Sequence, residues 1–191
     1  MSTAVLRTSK GRTGPQTWVA LLRGVNLGAR NKVSMADLRE LFRDLGAEDV
    51  TTYVQSGNVV FRSSAARDDL VQAIENEIRS RTGIDLTVVL RTKEELARLV
   101  AGNPFAHQPD PTKLHVTFLA APPDRRRVDA LAEKRFEPDE FRVTQDAAYL
   151  HCPGGYGRSK LSNAFFETHL GVAATTRNWR TVTTLADLAS N

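Results

Sequence analysis

From Thr17 to Leu90 the hydrophobic spacing alternates between the period of a strand and that of a helix, with glycines at the joints. That order leaves few folds open, because consecutive short elements pack beside one another. Thr17 to Arg23 carries Trp18, Val19, Leu21 and Leu22 in one short run, which predicts a first strand buried on both faces. Ser34, with Asp37 three residues on, forms a helix-start signature, and Met35, Leu38, Leu41, Phe42 and Leu45 recur at helical spacing until Gly46. Val50 to Gln55 and Asn58 to Arg62 read as a hairpin with Ser56-Gly57 at its tip. A second helix is expected from Arg67 to Arg81, with Leu70, Val71, Ile74 and Ile78 on one side and Gly83 after it, and Ile84 to Leu90 as a fourth strand. The order strand, helix, strand, strand, helix, strand predicts a split βαβ unit, a four-stranded antiparallel sheet with both helices on one face.

The second half begins the same way. Thr92-Lys93-Glu94-Glu95 opens a short helix ending near Gly102, and the proline-rich segment 103–111 is the expected boundary. Beyond it a strand is expected from Lys113 to Ala120, a helix from Asp124 to Arg135, strands at Glu140 to Thr144 and Ala148 to His151, and a helix through Leu161, Ala164, Phe165 and Thr168 that Gly171 ends. Where a fourth strand belongs, only Val172-Ala173-Ala174 is apolar, so the last helix, with Trp179, Val182, Leu185, Ala186 and Ala189, replaces or follows it. The fold class is therefore α+β: two ferredoxin-like (split βαβ) subdomains packed together, the second modified by an extra C-terminal helix. The expected division is a disordered basic tail over residues 1–16, a first subdomain over 17–103 and a second over 104–191.

At 191 residues the chain is long enough for one ordinary core or two small ones. No run approaches the roughly 18 apolar residues that span a bilayer, and the N-terminus lacks a signal peptide's apolar region. A single cysteine, Cys152, excludes an intrachain disulfide framework. A cytoplasmic protein with no membrane partner is expected. The net charge is +4, and no Asp or Glu occurs from Met1 through Ala36, where Arg23, Arg30 and Lys32 lie. Arg125-Arg126-Arg127 is followed by Asp129 and Glu133 and reads as a solvated helix face.

Four segments carry a resemblance to a known family. They are Ala20 to Gly28 (ALLRGVNLG) with Asn31-Lys32, Thr52 to Phe61 (TYVQSGNVVF), Gly157 to Leu161 (GRSKL), and Ala174 to Trp179 (ATTRNW). In this order they resemble the motif set of the uncharacterised bacterial domain of unknown function 1697 family, over essentially all of the chain after about residue 17. The resemblance implies a pair of ferredoxin-like α+β subdomains. It implies no activity, substrate or catalytic residue.

The unusual chemistry collects from Gly154 to Trp179. The turn Gly154-Gly155-Tyr156-Gly157 follows a strand and precedes a helix, the setting in which backbone N–H groups hold an anion, and Arg158, Ser159 and Lys160 are expected at the helix start. The order of residues is not that of a Walker A loop. Thr175 to Asn178 reads as a cap for the last helix, with Arg177 offering a planar fork to a carboxylate or phosphate. Arg23, Asn26, Asn31 and Lys32 lie on the loop after the first strand, where binding groups are often placed. Each cluster has a structural alternative: tight turns, helix caps and solvated cations. Trp179 falls on the apolar stripe and reads as core. Gln55, Ser56 and Asn58 on the hairpin tip are weaker candidates.

Catalysis is less well supplied. His151 and Cys152 are neighbours on a strand and point to opposite faces, so they form no dyad. His107, His115 and His169 lack metal-ligand spacing. No carboxylate lies between Gly154 and Phe166, leaving Tyr156 or Lys160 as the local base. The reading is a protein that binds a phosphate-bearing ligand, a nucleotide or a nucleic acid backbone, in a basic cleft between subdomains. Arg23, Asn26, Lys32, Arg158, Ser159, Lys160, Arg177 and Asn178 would hold the anion, with no cofactor, no metal and no assigned catalytic residue. The alternatives are an enzyme acting on a phosphorylated small molecule and an interaction module with no ligand.

Overall fold

The computed structural model describes residues 14–25 and 33–191. Two four-stranded antiparallel sheets and six α-helices make up the described chain, an α+β arrangement consistent with two ferredoxin-like subdomains. It divides into two compact units, one holding residues up to Leu96 together with Asp187–Asn191, the other Ala97–Ala186. The division falls inside a helix.

The first sheet contains β1 (Gln16–Leu22), β2 (Glu48–Tyr53), β3 (Asn58–Ser63) and β4 (Val88–Thr92), in the order β2-β3-β1-β4. On one face Trp18, Ala20 and Leu22 of β1, Val59 and Phe61 of β3, and Val88 and Leu90 of β4 form a core with two helices. These are α1 (Met35–Asp44), through Leu38, Leu41 and Phe42, and α2 (Arg67–Thr82), through Leu70, Ile74 and Ile78. Val19 and Leu21, on the other face of β1, are also buried, as the continuous apolar run requires. Ser34 Oγ accepts from Asp37 N at 3.0 Å, the expected start of α1, and α2 ends at Gly83. β4 starts at Val88 rather than Ile84. Residues 84–87 precede the pairing with β1, in which Val88 is the first partner, opposite Leu22.

The helix start expected at Thr92 is complete and is welded to α2. α3 (Lys93–Ala101) begins with Glu95 N donating to Thr92 Oγ1 at 3.2 Å while Thr92 N donates to Glu95 Oε2 at 2.9 Å. Arg67, the first residue of α2, donates through Nη2 to both Glu95 oxygens at 2.6 and 2.7 Å and through Nη1 to Leu90 O at 2.7 Å. Burial pushes the Glu95 carboxyl up, but the Arg67 hydrogen bond, the Thr92 N–H and the nearby positive charges outweigh it and hold the carboxyl below its usual range. A depressed carboxyl contributes stability above its unfolded value, about 4.3, and loses it as pH falls through the folded value. Glu95→Gln is therefore expected to cost about 1–2 kcal/mol at pH 7. Denaturant titrations of both proteins should show that difference shrinking as pH is lowered towards about 3, and a constant difference would assign the cost to packing alone.

The second sheet contains β5 (Leu114–Leu119), β6 (Glu140–Val143), β7 (Ala147–His151) and β8 (Ala174–Asn178), in the order β6-β7-β5-β8. The last helix follows a fourth strand rather than replacing it. β8 is built from Ala-Thr-Thr-Arg-Asn, the polar stretch expected to cap the last helix, and it pairs antiparallel with β5 from His115↔Asn178 to Leu119↔Ala174. α4 (Arg125–Ala132) and α5 (Asn163–Leu170) cover one face with Leu131, Phe166 and Leu170, meeting Leu119, Phe141, Ala148, Leu150 and Ala174. Phe136, Phe141, Phe165 and Phe166 stack edge-on or tilted at centroid distances of 4.9–6.1 Å. α6 (Trp179–Ser190) follows β8 directly, its start capped by Asn178 Oδ1, which accepts from Thr181 N at 2.8 Å. No described helix is long and apolar enough to cross a membrane.

Candidate basic groove and adjoining apolar pocket

The two units differ in one connection that matters for chemistry. In the first, β3 leads into α2 through residues 64–66; in the second, β7 leads into α5 through residues 152–162. The longer connection carries the glycine-rich turn. Cys152 is fully buried and ties in through its N–H to Lys113 O at 2.9 Å, and burial pushes its thiol up against a hydrogen bond from Ser159. Gly155, at φ 90°, opens one 3₁₀ turn over Tyr156–Arg158, and Ser159 Oγ then accepts from Leu161 N at 3.0 Å. α5 starts only at Asn163, with Ser162 as its cap.

This corrects the sequence expectation: Arg158, Ser159 and Lys160 do not stand at a helix start, and Ser159 caps no helix. The N–H groups of Gly155, Arg158 and Ser159 donate to Cys152 O, Gly155 O and Tyr156 O within the turn. Cationic side chains are what it offers an anion. Arg158, Ser159 and Lys160, with Gly154 and Gly155, line a groove of about 480 Å³ whose other wall is residues 135–139. There Arg135 folds back, Nη1 donating to Ala132 O at 2.8 Å and Lys134 O at 3.0 Å, so its guanidinium is pinned at the C-terminal end of α4. Glu137 and Asp139 line the same groove. The carboxylates absent from the local sequence thus arrive from another loop, a placement that only the folded chain reveals. Arg135 carried no sequence signal either, since it follows a run read as a solvated face.

Tyr156 anchors the turn. Its ring stacks on His115 with centroids 4.7 Å apart and planes 20° apart. Burial pushes its phenol above the ordinary value, against hydrogen bonds with the Thr176 side chain and the Asn163 backbone. Thr176 Oγ1 donates to Asn163 Oδ1 at 2.6 Å and shares a 2.7 Å hydrogen bond with Thr117 Oγ1. A hydroxyl has one proton, so Thr117 is the donor of that pair. Thr117, Thr176 and Asn163 thereby join β5, β8 and α5 beneath the turn.

Beside this network lies a pocket of about 570 Å³ lined by Pro111, Thr112, His115, Asn178, Trp179, Arg180 and Thr183. Trp179, expected in the core, is half-buried here: it is the first residue of α6, directly after the end of β8. Burial pushes the His115 imidazole below its ordinary value, partly offset by the Lys113 backbone, so the ring is neutral at physiological pH.

Arg177 and Asn178, the other expected site residues of this unit, do not line the groove. Alternation along β8 sends Arg177 to the face opposite Thr176 and Asn178. Arg177 is 8% exposed, its Nη1 donating to Thr175 Oγ1 at 2.8 Å and Thr176 O at 2.9 Å, and burial pushes its pKa down to about 10. It stays charged at neutral pH. Asn178 caps α6 and borders the apolar pocket. Arg23 follows β1 in the first unit, its N–H donating to Thr87 O at 2.9 Å. Asn26, Asn31 and Lys32 lie outside the described residues. Asn58 is fully buried, its Nδ2 donating to Tyr53 O and Ser56 Oγ, and serves the hairpin. Among the histidines, His151 lies 3.3 Å from Glu140 and His169 contacts Phe165 O at 2.8 Å.

The model of the family described as "Protein of unknown function (DUF1697)" matches residues 16–149, more than half of the chain. The chain belongs to the DUF1697 family. The matched span of this DUF1697 protein runs from β1 into β7, and stops before the basic turn. Four solved chains resemble it in structure. One is the conserved bacterial protein SP0830 from Streptococcus pneumoniae, 22% identical, with a TM-score of 0.75 over 92% of this chain and 99% of that one. At that identity the likeness concerns the fold. No match was found among the curated proteins.

Proposed function

We propose that this DUF1697 protein binds a phosphate-bearing small molecule, with the phosphate held in the groove by Arg135, Arg158 and Lys160. The observation that supports the reading is the convergence of three cations on one groove, one of them pinned by backbone carbonyls before any ligand arrives. A positioned guanidinium loses less freedom on binding than a mobile one, and its fork matches phosphate oxygens. The nucleic acid version is the weaker one. Ferredoxin-like sheets that read RNA stack bases on an open sheet face, whereas Val116, Phe118 and Tyr149, on the face of the second sheet away from α4 and α5, are at most 4% exposed. The split βαβ topology of both units and a reducing cytoplasm belong to this reading, the latter because the one cysteine is a buried free thiol.

Calorimetry with ATP and inorganic pyrophosphate tests it. Arg158→Ala/Lys160→Ala should weaken both at least tenfold, about 1.4 kcal/mol, while leaving the melting temperature within about 2 °C, since both side chains are exposed. Unchanged affinity in the double variant would remove the groove from consideration. Binding of tRNA or single-stranded DNA that falls steeply with salt would move the reading to nucleic acid.

A second reading is favoured by Glu137 and Asp139. Carboxylates facing the same groove as the cations supply the general base that a phosphate-ester hydrolase or transferase needs. Under that reading Asp139→Asn or Glu137→Gln abolishes turnover of a phosphorylated substrate and leaves its binding intact.

A further inference from the structure

The apolar pocket at Trp179 has no part in the phosphate reading, yet one residue stands beside lining residues of both. Tyr156 sits in the turn whose neighbours Gly155 and Arg158 line the groove, and its ring lies against His115, which lines the pocket. We infer that this pocket receives the planar heteroaromatic ring of the ligand whose phosphate the groove holds, so that the ligand is a nucleoside phosphate. The inference rests on the groove reading for the phosphate end and on the pocket alone for the ring end.

Three features of the pocket fit a ring better than an alkyl chain. Its wall includes two aromatic surfaces, the Trp179 indole and the His115 imidazole, and the second is backed by the Tyr156 ring at 4.7 Å, so it is held flat and in place. Burial keeps that imidazole neutral, and a neutral ring stacks on a base without bringing a charge into an apolar space. The border carries donors and acceptors suited to a base edge. Asn178 uses Oδ1 to cap α6, which leaves its amide NH₂ for other contacts. The hydroxyls of Thr112 and Thr183 donate to Asp110 and to the first turn of α6, so each presents lone pairs. A volume of about 570 Å³ is in the range of small-ligand pockets.

The test uses the full chain and separates the two ends of the ligand. Trp18→Phe leaves Trp179 as the one tryptophan, and it removes a buried indole N–H with no partner among the described residues. In that variant the four ribonucleosides, their 5′-triphosphates and inorganic pyrophosphate are titrated while Trp179 fluorescence is followed. Wild-type calorimetry with the same compounds gives a readout that does not depend on the variant. At least one nucleoside should quench Trp179, its triphosphate should bind tenfold or more tightly, and pyrophosphate should bind without quenching. Trp179→Ala should weaken the nucleoside and the triphosphate at least tenfold and leave pyrophosphate unchanged. If pyrophosphate binds as tightly as every triphosphate and Trp179→Ala changes nothing, the ring inference falls and the groove reading stands. If a nucleoside binds but its triphosphate gains nothing, the groove reading falls and the nucleoside phosphate assignment falls with it. Silence of all the compounds overturns both.

Discussion

Thr176→Val is expected to lower the melting transition of the second unit by roughly 5–10 °C, a loss of about 2–3 kcal/mol from a change that keeps side-chain size. The Thr176 hydroxyl donates to Asn163 Oδ1, accepts from Thr117 Oγ1 and is hydrogen-bonded to Tyr156, so a methyl group in its place removes three hydrogen bonds at once. Thr117 is fully buried, out of reach of bulk solvent. Leaving a polar group unmatched costs more than the net worth of the bond it made. Thr176→Ser restores the hydroxyl and should recover most of the loss. Thr117→Val/Thr176→Val should cost less than the sum of the two single changes, since the pair is removed together. Thermal denaturation of the four variants measures this, and a Thr176→Val transition within 1 °C of wild type would mean that the network carries no stability. Because Tyr156 is held by Thr176, the same change should also weaken phosphate binding at the turn it anchors.

That network explains why one strand was hidden in the sequence. β1 declares itself because both of its faces are buried and it reads as an unbroken apolar run, whereas β8 places Thr176 and Asn178 on the helix side and Arg177 on the other. Nothing in Thr-Thr-Arg-Asn alternates in hydrophobicity, so neither period is visible, and Asn before Trp179 looks like a cap because it is one. The repeat of the element order was the available signal, along with two β-branched threonines in a row. Helix starts were legible where the cap is local: Ser34 and Thr92 bond residues three positions away. The start of α5 was misplaced for the same reason, since Ser159 and Ser162 both accept local N–H groups and only one of them begins a helix.

The candidate site was legible in half. Arg158 and Lys160 stand in a motif and could be named from it, but Arg135, Glu137 and Asp139 come from the loop between α4 and β6, and contact across a fold leaves no trace in spacing. Carboxylates missing from the local sequence therefore say nothing about which carboxylates line the folded groove. Arg177 shows the converse: the fork read from its sequence neighbours is placed inside by one step of strand alternation.

Gly57→Ala is expected to be the most damaging small substitution in the first unit, costing about 2–4 kcal/mol and roughly 5–15 °C in melting temperature. Two effects add. Gly57 closes the β2–β3 hairpin at φ 70°, where any side chain crowds its own backbone. A Cβ built there would also stand 2.9 Å from Leu22 Cβ and 3.3 Å from Val25 Cβ, and neither is the loose end of a flexible chain. The turn cannot move aside freely, because Gly57 O accepts from Leu22 N at 2.9 Å and Leu22 is nearly fully buried in the central strand. Gly83→Ala supplies the comparison: it has the same φ of 70° and nothing within 4 Å of the added carbon. It should lose only the backbone part, about 1 kcal/mol. Denaturation of the two variants side by side therefore separates conformation from collision, and equal losses would show that the Leu22 contact relaxes at no cost.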